Sequence, residues 1–210
     1  MSWGQRFFSV MSHRFYDLGL YSFVTEQIWG CSTARLLDNY VEHISDTHLE
    51  VGVGTGYFLN RTLCPEHTQR LVLLDLNSRC LAKSAIRLDS FGPQLRQHDI
   101  CLPMIDQQRF KSVGINYVLH CVPGGIQSMR KVCANLHAVL HADGVLFGAT
   151  VLDHRHAGWA ARLMNKLLQV CGIFHNADHD LAGLRAALEA CFSRVELQLV
   201  GNAAVFQAWK

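Results

Sequence analysis

The sequence predicts an α/β protein built on one mostly parallel sheet that closes with an antiparallel C-terminal hairpin. Three observations carry this. Short apolar runs alternate with amphipathic stretches through most of the chain, the pattern of strands joined by crossover helices. The first run, His48–Val53, ends in a turn with glycine at the alternate positions Gly52, Gly54 and Gly56. The last two runs, Arg194–Val200 and Ala203–Trp209, are joined by Gly201-Asn202 alone, and two residues cannot make a parallel crossover.

Taken in order, residues 1–44 place Leu18, Tyr21, Phe23, Val24, Ile28, Trp29, Leu36, Leu37 and Tyr40 at roughly helical spacing. They predict an N-terminal helical cap ahead of a core over 45–210. Ser32 or Thr33 is suited to cap the second of these helices. Strands are expected at His48–Val53, Arg70–Leu74, Gln94–His98, Ser112–Tyr117 and Gly144–Leu152. Helices are expected at Tyr57–Leu63, Ser78–Phe91, Ile126–Leu140, His156–Cys171 and Leu181–Ala190, with Ala142-Asp143-Gly144 as the turn before the fifth strand. Strand–helix alternation implies right-handed crossovers and a sheet covered on both faces.

Glycine at a strand-to-helix turn lets a ligand approach the main chain closely. A dinucleotide fingerprint needs its third glycine at position 57, and Tyr57 stands there. What remains, Glu50-Val51-Gly52-Val53-Gly54-Thr55-Gly56, resembles motif I of the class I S-adenosylmethionine (SAM)-dependent methyltransferases. The closing hairpin is similar to the way those Rossmann-like folds finish. Nicotinamide-binding folds continue instead with a parallel sixth strand.

The resemblance implies SAM as cofactor and a set of residues to hold it. The backbone of Gly52, Gly54 and Gly56 would meet the methionine part, and Glu50 would lie near its ammonium. Asp75, at the end of the second strand, would accept both ribose hydroxyls, as a carboxylate does better than an amide. Asp99, after the third strand, would accept the adenine amino group, with Leu76 and Ile100 packing the ring. One position departs from the family: strand four begins Phe110-Lys111 where many relatives have Phe-Asp. It lies far from the ligand end of the strand.

Acceptor-facing residues are expected after strands four and five and from the cap. His120 is the leading base candidate, because imidazole titrates near working pH; a hydrogen bond to backbone or cofactor is its competing role. Asn116 and Tyr117 are placed to line the methionine end. Tyr16, Tyr21 and His154 are candidates for contact with the acceptor. The Tyr16-Asp17-Leu18-Gly19 start, Tyr57-Phe58-Leu59 and Leu146-Phe147-Gly148-Ala149-Thr150 resemble small bacterial and fungal methyltransferases of secondary metabolism. That resemblance implies a small, partly apolar acceptor, with Phe15, Phe23, Trp29, Trp159, Met164 and Phe174 as lining. The alternatives are a catalytically silent SAM-fold binding protein and an RNA or protein methyltransferase.

Composition narrows the setting. Half of the 210 residues are hydrophobic and 17% are charged, which specifies a folded domain. A formal charge of +2 gives no reason to expect a nucleic-acid partner. No apolar run is long enough to span a bilayer, and the first residues lack a signal peptide's apolar core, so a cytoplasmic protein is expected. Eight cysteines without a C-x-x-C pair read as reduced thiols. His154/His156 and His175/His179 have no carboxylate partner in a metal-binding pattern, so no metal is expected. A homodimer is compatible with the sequence, which does not specify an oligomeric state.

Overall fold

Val51 and Leu49 belong to one apolar layer, while His48 and Glu50 point the other way. That period-two alternation sets the architecture of the protein, seen in a computed structural model that describes residues 24–104, 109–153 and 158–210. Seven strands form one sheet: β1 (Thr47–Val51), β2 (Arg70–Asp75), β3 (Gln94–Gln97), β4 (Phe110–Asn116), β5 (Leu140–Val151), β6 (Arg194–Val200) and β7 (Ala203–Trp209). Their order is β3-β2-β1-β4-β5-β7-β6. The first five are parallel, and β7 runs antiparallel between β5 and β6. The strand order reverses between β1 and β4, which puts the ligand-binding crevice of an open α/β sheet at their carboxyl ends.

Helices α1 (Thr33–His43), α2 (Leu59–Thr62), α3 (Ser78–Arg87), α4 (Gly125–Val139), α5 (Trp159–Val170) and α6 (Leu181–Glu189) flank the sheet. One face buries Leu49, Val72, Val113 and Phe206 against Met129, Val132 and Leu136 of α4 and Leu184 and Leu188 of α6. The other buries Leu71, Leu73, Phe147 and Val205 against Leu36 and Tyr40 of α1 and Leu81 of α3. Helix α1 therefore covers the sheet directly. Its N-cap is Ser32, whose Oγ accepts the Arg35 N–H.

Two expected boundaries move. Ala142-Asp143-Gly144 lies inside β5, because Phe110 pairs with Leu140 and Ser112 with Val145. The extra residues bulge out of the ladder without ending the strand. The expected helix over 78–91 stops at Arg87 and finishes as a 3₁₀ turn, Asp89–Phe91. The hairpin keeps its expected limits. Gly201 has φ 58° while Asn202 stays in the ordinary negative range, the arrangement of a type II′ turn. Asn202 N–H donates to Trp29 O and Leu152 N–H to Asn202 O, so the turn is tied to the N-terminal segment and to the end of β5. Lys111, the departure at the start of β4, pairs with Asp46 at 2.9 Å. No described helix is long and apolar enough to cross a membrane.

Candidate active site

A cleft of about 640 Å³ opens at the carboxyl ends of β1, β2 and β4, a volume ordinary for a small-molecule site. Its floor is the glycine turn. Gly52 has φ 69°, and a Cβ there would collide with Val118 Cγ2, so the turn and the loop after β4 can approach only because position 52 is glycine. Gly54 lines the same cleft with φ 54°, and a Cβ on it would meet only Gly52 O, at 4.0 Å. Gly56 has a different task. It is not part of the cleft wall and stands close against Ser84 and Leu88, where a Cβ would crowd α3 and the residue after it.

Asp75 lines the cleft with its Oδ1 accepting Asn77 N–H at 2.8 Å and its Oδ2 facing Gly54 N–H at 3.4 Å. Burial raises its pKa despite these backbone donors. A desolvated carboxylate with no cation beside it is a strong acceptor for ligand hydroxyls. Asp99 also lines the cleft, and its Oδ1 accepts Cys101 N–H at 2.9 Å. Between the two acids, Leu76 leaves half of its surface open to the cleft and Ile100 is buried in the wall, an apolar bracket for a flat ring. Both polar atoms of the Asn116 side chain are buried without a partner. Asn116 follows Ile115, the register partner of Val51, and so stands level with Gly52. Asn116 is not part of the cleft wall, but its buried amide leaves a donor and an acceptor unused at the level of the glycine turn. These features fit the adenosine and amino-acid ends of SAM.

Glu50 is the main correction. It is 4% exposed and absent from the cleft wall, because it points to the α1 face of the sheet. Its Oε1 accepts the Tyr40 hydroxyl and its Oε2 meets His48 Nε2 at 3.0 Å. His48 Nδ1 in turn meets Ser112 Oγ at 2.8 Å. The residue expected beside the methionine ammonium instead sits in a closed polar chain within the core.

His120 also lies elsewhere than a base would. It is 3% exposed, and its Nδ1 accepts Val151 N–H at 3.1 Å with Thr150 Oγ1 at 3.2 Å. The nitrogen that would take a proton is already used. Burial, with His179 nearby, pushes its pKa down to about 3. The unfolded chain therefore binds a proton that the folded chain refuses between about 6.5 and about 3. Stability falls as pH drops through this window, by up to about 1.4 kcal/mol per unit from this group. His137 and His179, whose pKa values are also lowered, act in the same sense. We expect the fall in Tm from pH 7 to pH 5 to be shallower in His120→Gln than in the wild type. An equal slope in calorimetric melts would refute this account.

The rest of the cleft includes the segment after strand four, where acceptor contacts were expected. Tyr117, the one described non-glycine residue with positive φ (55°), turns the chain from β4 into Val118, Cys121, Val122 and Pro123 along the wall. Ser128 of α4 and Gly172, Ile173 and His175 of the α5–α6 link complete it. The link is irregular, so His175 and His179 are not one helical turn apart. Trp29, Met164 and Phe174 do gather in one apolar cluster beside Tyr117 and Cys121, whereas Trp159 is 81% exposed on α5. Burial pushes the cleft thiols of Cys80 and Cys121 up to about 12, which removes thiolate chemistry there. Tyr16, Tyr21, His154, Phe15 and Phe23 lie outside the described residues.

Residues 49–148 match a methyltransferase domain family. The chain is 32% identical to demethylluteothin O-methyltransferase of Streptomyces thioluteus over 92% of its own length and 85% of the relative's. It is 34% identical to the physcion biosynthesis cluster O-methyltransferase of Aspergillus chevalieri, covering 93% of this chain and 89% of that one. An N-methyltransferase of Penicillium aethiopicum, vrtF, is 34% identical across 86% and 76% of the two chains. Among solved structures, the N-methyltransferase NodS of Bradyrhizobium japonicum WM9, in complex with S-adenosyl-L-homocysteine, superposes with a TM-score of 0.61 over 84% of each chain at 16% identity, a likeness of fold. The glycine turn, the acids after β2 and β3 and the inserted β7 thus have one explanation: the chain belongs to the class I SAM-dependent methyltransferases.

Proposed function

We propose that this enzyme methylates a small, uncharged, largely apolar metabolite, held in the half of the cleft between the loop after β4 and the α5–α6 link. The observation that carries this is the lining. Tyr117, Val118, Cys121, Val122, Pro123 and Ile173 form that half, and no lysine or arginine lines the cleft among the described residues. A carboxylate or phosphate acceptor would find no counter-charge there. The formal charge of +2 likewise offers little to a polyanion. The relatives whose names give a substrate or pathway act on small natural products, which supports the same reading.

SAM, when bound, supplies a methyl group already made electrophilic by its sulfonium. The work left to the protein is positioning and exclusion of water, and good alignment contributes roughly 7–11 kcal/mol in such reactions. In this reading the Asp75 carboxylate holds the ribose, Asp99 accepts from the adenine, and Leu76 and Ile100 sandwich its ring. Gly52, Gly54 and Asn116 receive the amino-acid end, and Tyr117 lies between the two ligands. Eight free cysteines suit a reducing cytoplasm.

The test uses the full chain with methyl-tritiated SAM and a cell extract divided into small-molecule and macromolecular fractions. Label is expected in organic-extractable small molecules. Label confined to RNA or protein would overturn the acceptor class. SAM bound tightly with no transfer to any fraction would favour a silent binding protein.

A further inference from the structure

Two histidines line the cleft, and their surroundings differ. His98 stands beside Asp99, with Nε2 3.3 Å from Leu102 O, on the adenosine side. His175 belongs to the opposite wall, together with Gly172 and Ile173. Its half-buried ring makes no hydrogen bond, ion pair or ring contact among the described residues.

The residues around His175 are fixed. Its backbone N–H donates to His120 O at 2.7 Å. Phe174 is wedged between the His120 ring, at 4.3 Å, and the Trp29 ring, at 5.9 Å. Asn176 is fully buried, donating from Nδ2 to Val151 O at 3.2 Å and to Asn165 Oδ1 at 3.0 Å. His120 is anchored in its turn by Val151 N–H. The His120 carbonyl, and its ring through Phe174, therefore hold the segment that presents the half-buried His175.

We propose that His175 is the catalytic base that receives the acceptor's hydroxyl proton, with His120 as the positioning residue behind it; this rests on the methyltransferase reading of the cleft. The acceptor oxygen forms its bond to the methyl carbon as the carbon–sulfur bond breaks and the electron pair remains on sulfur. The hydroxyl proton passes to the free imidazole nitrogen of His175 and then to solvent. A base is required because a neutral hydroxyl is a poor nucleophile until its proton is leaving. Among the described residues, His175 is the imidazole on the wall opposite the adenosine side, where His98 stands. The Cys121 thiol is held protonated by burial, and the acids Asp75 and Asp99 stand at the ends of β2 and β3.

The test uses the full chain, SAM and a panel of uncharged phenols headed by 2-naphthol. His175→Gln is expected to lower kcat about 100-fold, with SAM affinity by calorimetry within twofold of wild type. His175→Ala should lose as much and regain turnover when free imidazole is added. His120→Gln should raise KM for the phenol as well as lower kcat, and added imidazole should not restore it. Wild-type turnover in His175→Gln would overturn the proposal. So would imidazole rescue of His120→Gln in place of His175→Ala. A wild-type enzyme that binds SAM and methylates amines or thiols but no phenol would also overturn it, while the methyltransferase reading stood. Failure to bind SAM would strike that reading itself.

Discussion

Glu50→Ala is expected to cost about 3–5 kcal/mol of stability, the loss seen when one partner of a buried polar pair is removed. The carboxyl is 4% exposed and meets both Tyr40 and His48. Truncation would strand a buried hydroxyl and a buried ring nitrogen, each worth roughly 1–3 kcal/mol when left unpaired. At roughly 2–4 °C per kcal/mol for a chain of this size, the melting temperature should fall by about 10 °C. The neighbouring strand shows the same demand for space: Gly114 is the register partner of Glu50, and a Cβ there would collide with Glu50 Oε2. Glu50→Gln, which keeps the shape and part of the hydrogen bonding, should lose much less. Thermal melts and SAM titrations of the three proteins decide the matter. A stable Glu50→Ala that has lost SAM affinity would restore the expected contact with the methionine ammonium.

Asp75→Ala should produce the opposite pattern, a SAM affinity at least about 100-fold weaker in a fold that still melts cooperatively. Two hydrogen bonds to a carboxylate contribute about 1.5 kcal/mol or more each, and 100-fold is about 2.7 kcal/mol. The native carboxylate also accepts Asn77 N–H at the start of α3, so a stability loss of about 1 kcal/mol accompanies the change. Calorimetric titration with SAM, beside a melt of the same sample, separates the two effects. Unchanged affinity would remove Asp75 from the cofactor site.

Much of this could be read from the chain because it is written in local chemistry. Gly201-Asn202 between two apolar runs admits only a hairpin, and glycines at 52, 54 and 56 after an apolar strand admit only a ligand turn of restricted kinds. The position of Glu50 was within reach too. In a strand covered on both faces, the residue two before Gly52 must lie opposite Val51 and Leu49, and Val51 lines the cleft. His175 was out of reach for a physical reason. Its neighbour across the hydrogen bond, His120, is separated from it by α4, β5 and α5, and no local pattern announces that the link returns to the cleft. Trp159 failed as lining because apolar residues on an amphipathic helix do not state which of them face inward.

The strand order has a consequence for how the protein comes to exist in a cell. β7 is the last strand to be made, yet it lies inside the sheet, between β5 and β6. The final residue is part of the same closure: Lys210 N–H donates to Gly144 O, and its Nζ reaches His137 O and Leu140 O. Until the ribosome releases these residues, the long β5 has a bare, apolar edge, the kind of surface on which nascent chains pair wrongly. The sheet therefore closes only when residues 203–209 become available to pair with β5 and β6.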